Sequence, residues 1–212
     1  MHIRRAAIMG ALAIGLAIGG VIGTISGAAA NVDAKAAPAG FQTLKVTKAG
    51  FSIAVPGSWG AVDVTKKSAN AILTTLKKNF PSLASQLPGD ATSFLQRNVV
   101  LLAIEKTVGF AANINVIRIP QLTTAPTIAD ISASILQIAP DAKFANTRVA
   151  GVRAVSAEYN LSVTTAKGRI SGVITQYAFT GNKGGLIITL TGSSDSPHRA
   201  LFKTIIRTVK LL

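Results

Sequence analysis

The chain has no cysteine in 212 residues, 8 acidic residues against 22 Lys and Arg, 2 histidines, and 5% aromatics with a single Trp. Without cysteine there can be no disulfide and no thiolate metal site, so the fold must rest on core burial. The groups that move protons are also scarce. From residue 41 onward there is one histidine, His198, and the acids Asp63, Asp90, Glu105, Asp130, Asp141, Glu158 and Asp195 are scattered singly. No metal-ligand spacing occurs, and the Gly-x-Ser-x-Gly elbow of hydrolases is absent. His198 follows Ser193, Ser194, Asp195 and Ser196. Neighbours at a helix start do not converge as a catalytic triad must, which predicts a solvated first-turn histidine. The expectation is a protein that is not an enzyme and carries no cofactor and no metal.

Positive charge is abundant. The formal net charge is +14, and residues 1–30 hold only Arg4 and Arg5 of the basics and no acid, so +12 remains beyond them. Such a surface favours anionic surroundings. No recognition helix, zinc finger or aromatic stacking strand accompanies the charge, which argues against nucleic acid.

Residues 1–30 read as an export signal: Arg4 and Arg5, a long acid-free apolar run, then Ala28, Ala29 and Ala30. The run over residues 6–25 is nearly long enough to serve as an uncleaved anchor across ~30 Å of hydrocarbon, but its glycines and trailing alanines favour cleavage. No lipidation cysteine is present. The expected product is secreted or extracytoplasmic, without a stable transmembrane span once the signal is removed. Residues 31–40 have no periodicity and read as a flexible linker into one domain over 41–212.

Within that domain, Phe41 to Val46 and Phe51 to Val55 read as an opening hairpin. Ile72, Leu73, Leu76 and Phe80 recur at helical spacing before Pro81. Strands are expected at Val99 to Glu105 and Asn113 to Ile119. A helix follows, capped by Thr127 and Asp130, with Ile128, Ile131, Ile135 and Ile138 on one face. Val155, Ala157, Tyr159, Leu161 and Val163 alternate with polar residues as in a strand buried on one face. Ile170 to Phe179 and Leu186 to Thr191 complete a three-strand meander, the last suited to a central position. A closing helix is expected from Ser196 with Pro197 at its first turn. Phe202, Ile205, Ile206 and Val209 would form its apolar side, beside Arg199, Lys203, Arg207 and Lys210. The sum is an α+β fold, an antiparallel β-sheet flanked by helices.

The stretch Phe51, Ile53, Val55, Pro56, Trp59 resembles the entry motif of PsbP-like domains, especially the LpqN-like secreted proteins of actinobacteria. Asn113-Ile114-Asn115-Val116, then Gly151, Ala154 and Tyr159, then Phe202 to Leu212, resemble later motifs of that family in the same order. The resemblance implies a PsbP-like α/β/α sandwich and a binding role. It does not extend to the lipobox cysteine of the lipoprotein members.

Two basic groups are candidate binding faces: Lys66, Lys67, Lys77 and Lys78 around the first helix, and Arg199, Lys203, Arg207 and Lys210 on the last. Trp59 is a candidate core residue and, alternatively, a cleft residue. The expected function is a secreted non-enzymatic binding protein acting through protein–protein contacts or on an anionic envelope surface. The alternative is a carrier of an apolar or lipid ligand bound between sheet and helices.

Overall fold

The computed structural model describes residues 36–66, 71, 74, 98–106, 112–165, 168–193 and 198–212. The export segment, most of the linker, all of the helix expected over residues 72–80 except Thr74, the side chains of Lys67, Lys77 and Lys78, and the expected helix start at Ser196 and Pro197 lie outside the described residues. Strands β1 (Phe41–Val46), β2 (Phe51–Pro56), β3 (Gly60–Asp63), β4 (Val99–Ile104) and β5 (Asn113–Ile119) precede helix α1 (Ile128–Leu136). Strands β6 (Lys143–Val149), β7 (Val152–Thr165), β8 (Gly168–Gly181) and β9 (Gly184–Gly192) follow, then helix α2 (His198–Ile206) and strand β10 (Lys210–Leu211).

Seven strands form one antiparallel sheet in the order β3-β4-β5-β9-β8-β7-β6, and β1-β2-β10 form a second, smaller sheet. This is an α+β fold. Strand β9 lies between β5 and β8 and is buried from its second residue onward, as its nearly unbroken apolar run requires when both faces are covered.

Alternation along the strands divides the interior into two cores. On one face of the large sheet, Ile114, Val116, Phe179, Leu186, Ile188 and Leu190 pack with Phe51, Ile53 and Val55 of β2 and with Phe202, Ile205 and Ile206 of α2. On the other, Leu102, Ile104, Ile117, Val155, Ala157, Tyr159, Ile174 and Ile187 pack with Ile131 and Ile135 of α1. One face is therefore covered by the small sheet and α2, the other by α1.

The abrupt end of β2 has a local cause. Pro56 forms the last register pair, with Phe41, and has no N–H with which to extend the ladder. The chain turns there, the Trp59 amide donating to the Pro56 carbonyl at 3.0 Å, and the indole is only 3% exposed in the core shared with β2 and α2. The Gln42 side chain ties the turn down by donating to the Trp59 carbonyl at 2.8 Å.

The structure departs from the sequence expectation at the ends. Helix α2 stops at Ile206, and Lys210 belongs to β10, opposite Ser52 of β2. The reason is competition: the Leu212 amide donates to the Gly50 carbonyl at 2.9 Å, and the Thr208 hydroxyl accepts the Ala54 amide at 2.8 Å, so the tail finishes a sheet rather than a helix. The opening hairpin forms its own sheet, and the meander gains a fourth strand, β6. Ile138 falls beyond α1 and is exposed.

Candidate functional site

The β6–β7 connection is a two-residue turn: Val149 pairs with Val152, and Ala150 and Gly151 have φ of 52° and 80°. Two consecutive positive φ values match a type I′ hairpin, whose twist suits flanking strands. The tight turn sets the register, and the register places Arg148 directly opposite Arg153. Like charges opposite each other on one sheet face repel. The Arg148 guanidinium donates to the Gly151 carbonyl at 2.8 Å; that of Arg153 makes no ion pair or hydrogen bond to any described residue.

Strand alternation directs both arginines to the face covered by α1, since Val149 and Val152 belong to the opposite core. There they line a cleft of about 680 Å³ between the hairpin and the start of α1, with Pro126, Ile128 and Ala129 as apolar wall and Asn146 as a neutral polar neighbour. Among the described residues no acidic side chain lines it. Asp130, one residue past the lining, is engaged in the capping box: its carboxylate accepts both the Thr127 amide and the Thr127 hydroxyl at 2.9 Å. The cleft therefore combines an apolar wall with two cations. An anionic headgroup would relieve the arginine repulsion while an apolar tail lay against the helix.

A second polar feature lies on the same sheet face, in its centre. Asn113, Asn115, Gln176, Thr189 and Thr191 are all buried, with Asn113 opposite Thr191 and Asn115 opposite Thr189. Gln176 donates to the Thr189 hydroxyl at 3.1 Å. By contrast Asn113 Oδ1, both polar atoms of the Asn115 amide, Thr191 Oγ1 and the Tyr159 hydroxyl have no hydrogen-bond partner among the described residues. Each such atom costs about 1–3 kcal/mol. Burial also holds the Tyr159 phenol well above its ordinary range.

His198 is not the solvated side chain expected from the sequence. It is only 12% exposed, stacks on Phe202 at a 6.0 Å centroid distance, and places Nε2 3.3 Å from Glu105 Oε2. Its Nδ1 accepts the Ser193 amide at 3.2 Å, so the proton sits on Nε2 and faces the carboxylate. Glu105 is held in turn by the Ala112 amide at 3.2 Å. Both ring nitrogens are thus engaged, and no lone pair is turned toward a nucleophile. The dyad fastens the start of α2 to the end of β4.

Of the two basic groups singled out in the sequence, the structure describes Lys66, Arg199, Lys203, Arg207 and Lys210. Arg199 pairs with Glu158 of β7. Lys203 is exposed on α2, Arg207 is half-buried beyond its end, and Lys210 is exposed on β10. Lys66 ends a short 3-10 turn after β3. Trp59 belongs to the core and not to the cleft wall. Arg148 and Arg153 were missed because their partnership is a matter of register; the signal for it was the spacing of five around Ala150-Gly151. Among the described residues no cluster of three potential metal ligands occurs, and no helix is long and apolar enough to cross a membrane.

No family model and no curated protein matches the sequence. Among solved structures, the chain is similar to a crystal structure from Bacteroides thetaiotaomicron VPI-5482, with 11% identity, TM-score 0.43 and 78% of this chain covered. The match spans 46% of that chain's own length. The chain is also similar to the solution structure of cyanobacterial PsbP (CyanoP) from Synechocystis sp. PCC 6803, at 15% identity and TM-score 0.46, covering 90% of this chain and 99% of that one. The α+β assignment stands on the strand order and layers described above.

Proposed function

We propose that this is a secreted, non-enzymatic binding protein of the LpqN-like kind, and that it carries an amphipathic anion between α1 and the β6–β7 hairpin. The observation behind this reading is the Arg148–Arg153 pair, two opposed cations in a cleft with an apolar wall and no acid among its described lining residues. Its volume of about 680 Å³ lies within the range of small-molecule sites. The carrier reading gains over the protein-docking reading because large exposed apolar side chains among the described residues are few: Leu136, Ile138 and Leu212. A docking face of the usual kind would need a broader apolar patch.

Titration calorimetry with dodecanoate, dodecyl phosphate and dodecanol tests the proposal. The two anions bind saturably and the alcohol much more weakly. Replacing Arg153 with Ala lowers anion affinity about tenfold or more, since a hydrogen bond to a charged group is worth ~1.5–3 kcal/mol. Equal binding of dodecanol, or an Arg153→Ala variant with unchanged affinity, would sink the reading.

A further inference from the structure

We infer that the polar band at the centre of the α1-covered sheet face is a second ligand site, one that takes a small neutral molecule of the carboxamide class. The band is formed by Asn113 and Asn115 of β5 and Thr191 of β9, with Tyr159 two strands away along the row through Ile174. Asn115 is 0% exposed, Thr191 1%, Tyr159 3% and Asn113 5%, and each carries at least one polar atom without a partner among the described residues.

Three features of the band specify the ligand. First, the neighbouring positions on the same face, Leu102, Ile104, Ile117, Ile174 and Ile187, are aliphatic, so packing alone asks for aliphatic residues here. Local rules are broken in this way where function requires it. Second, the four residues are uncharged and buried, and burial penalises ions, which excludes the anions suited to the arginine cleft. Third, the set offers donors and acceptors together: the two amides supply N–H and C=O, and the Thr191 and Tyr159 hydroxyls supply either. A primary carboxamide presents the complementary pair, its NH₂ toward the asparagine carbonyls and its oxygen toward the Asn115 amide and the hydroxyls. Gln176 and Thr189, which continue the row of Asn115, are joined by their own hydrogen bond and form its edge.

The test is a titration of the isotopically labelled full chain with acetamide, followed at the side-chain NH₂ signals of Asn113 and Asn115. Acetone, which cannot donate, serves as control. The expected result is a saturable shift of both signals with acetamide, not reproduced by acetone, and an affinity about tenfold or more lower in Asn115→Leu. If that variant does not fold, Thr191→Val is used in its place. Arg153→Ala should leave acetamide binding unchanged, so failure here and failure at the cleft are separate results. The inference is overturned if acetamide causes no saturable shift, if acetone gives the same shift, or if the variant binds as the parent does. Exchange of the Asn signals with water alone would assign the band to internal hydration.

Discussion

Thr208 stitches the end of the chain to the small sheet, and its replacement by Val isolates that role. The hydroxyl accepts the Ala54 amide at 2.8 Å and lies 2.6 Å from the Ile205 carbonyl, to which it donates. The Ile205 carbonyl keeps a partner in the variant, because the Thr208 amide donates to it at 2.9 Å. The Ala54 amide does not: Ala54 is 1% exposed, so neither β10 nor water can replace the lost oxygen. An orphaned buried N–H costs about 1–3 kcal/mol, and a methyl placed where Oγ1 stood must also move back from the amide. Thr208→Val should therefore destabilise by about 2–4 kcal/mol, a fall in Tm of roughly 4–16 °C for a domain of this size. Thr208→Ser keeps the hydroxyl and loses one methyl, ~0.8 kcal/mol. Thermal unfolding of both variants, with amide exchange at Ala54, provides the measurement. The reasoning fails if Val is no worse than Ser, or if Ala54 stays protected in the Val variant.

Two further perturbations have definite signs. A Cβ on Gly192 would stand 2.8 Å from both His198 Cβ and Phe202 Cζ, so Gly192→Ala should cost about 1–3 kcal/mol through overpacking; an unchanged urea midpoint would show that α2 can move aside freely. The Tyr177 phenol is pushed up to about 12, first by burial and then by Glu158, with Arg207 opposing. Between pH ~10 and ~12 the unfolded chain then holds fewer protons than the folded one, so stability falls as pH rises, by on the order of 2–3 kcal/mol. Urea unfolding at stepped alkaline pH should show that fall, reduced in Tyr177→Phe; a flat profile would contradict it.

The legible parts of this fold were those written in local periodicity. The Thr127–Asp130 capping box, the alternation of Val155, Ala157 and Tyr159, and the proline stop after Val55 each have a cause within a few residues. What stayed hidden depends on distant partners. Strand β6 reads KFANTRV, with exposed or half-buried side chains at all but its last position, because it is an edge strand and needs no strong apolar alternation. Lys210 and Leu211 look helical by continuity, yet the open edge of β2 claims them. The Glu105–His198 contact joins residues 93 positions apart in the sequence, and Arg148 meets Arg153 only because Ala150 accepts a positive φ. The asparagines of β5 were visible as a motif. Their lack of partners was not, since it depends on what stands opposite them in β9.

The two faces of the large sheet differ in how fully their polar groups are paired. The face against the small sheet is fastened at several points: the Thr208 stitch, the Glu105–His198 dyad, the Arg199–Glu158 pair and the packing of Phe202 and Trp59. None of its buried side-chain atoms in β5, β7 and β9 is left without a partner among the described residues. The opposite face carries every unpaired atom of the band, and the unpaired Arg153 as well. Selection for stability alone would erase both, since Leu at 115 and a neutral residue at 153 would each relieve a cost. Their confinement to one face is consistent with the binding role proposed above, in which a rigid backing tolerates, on its other side, polar groups whose partners would arrive with a ligand.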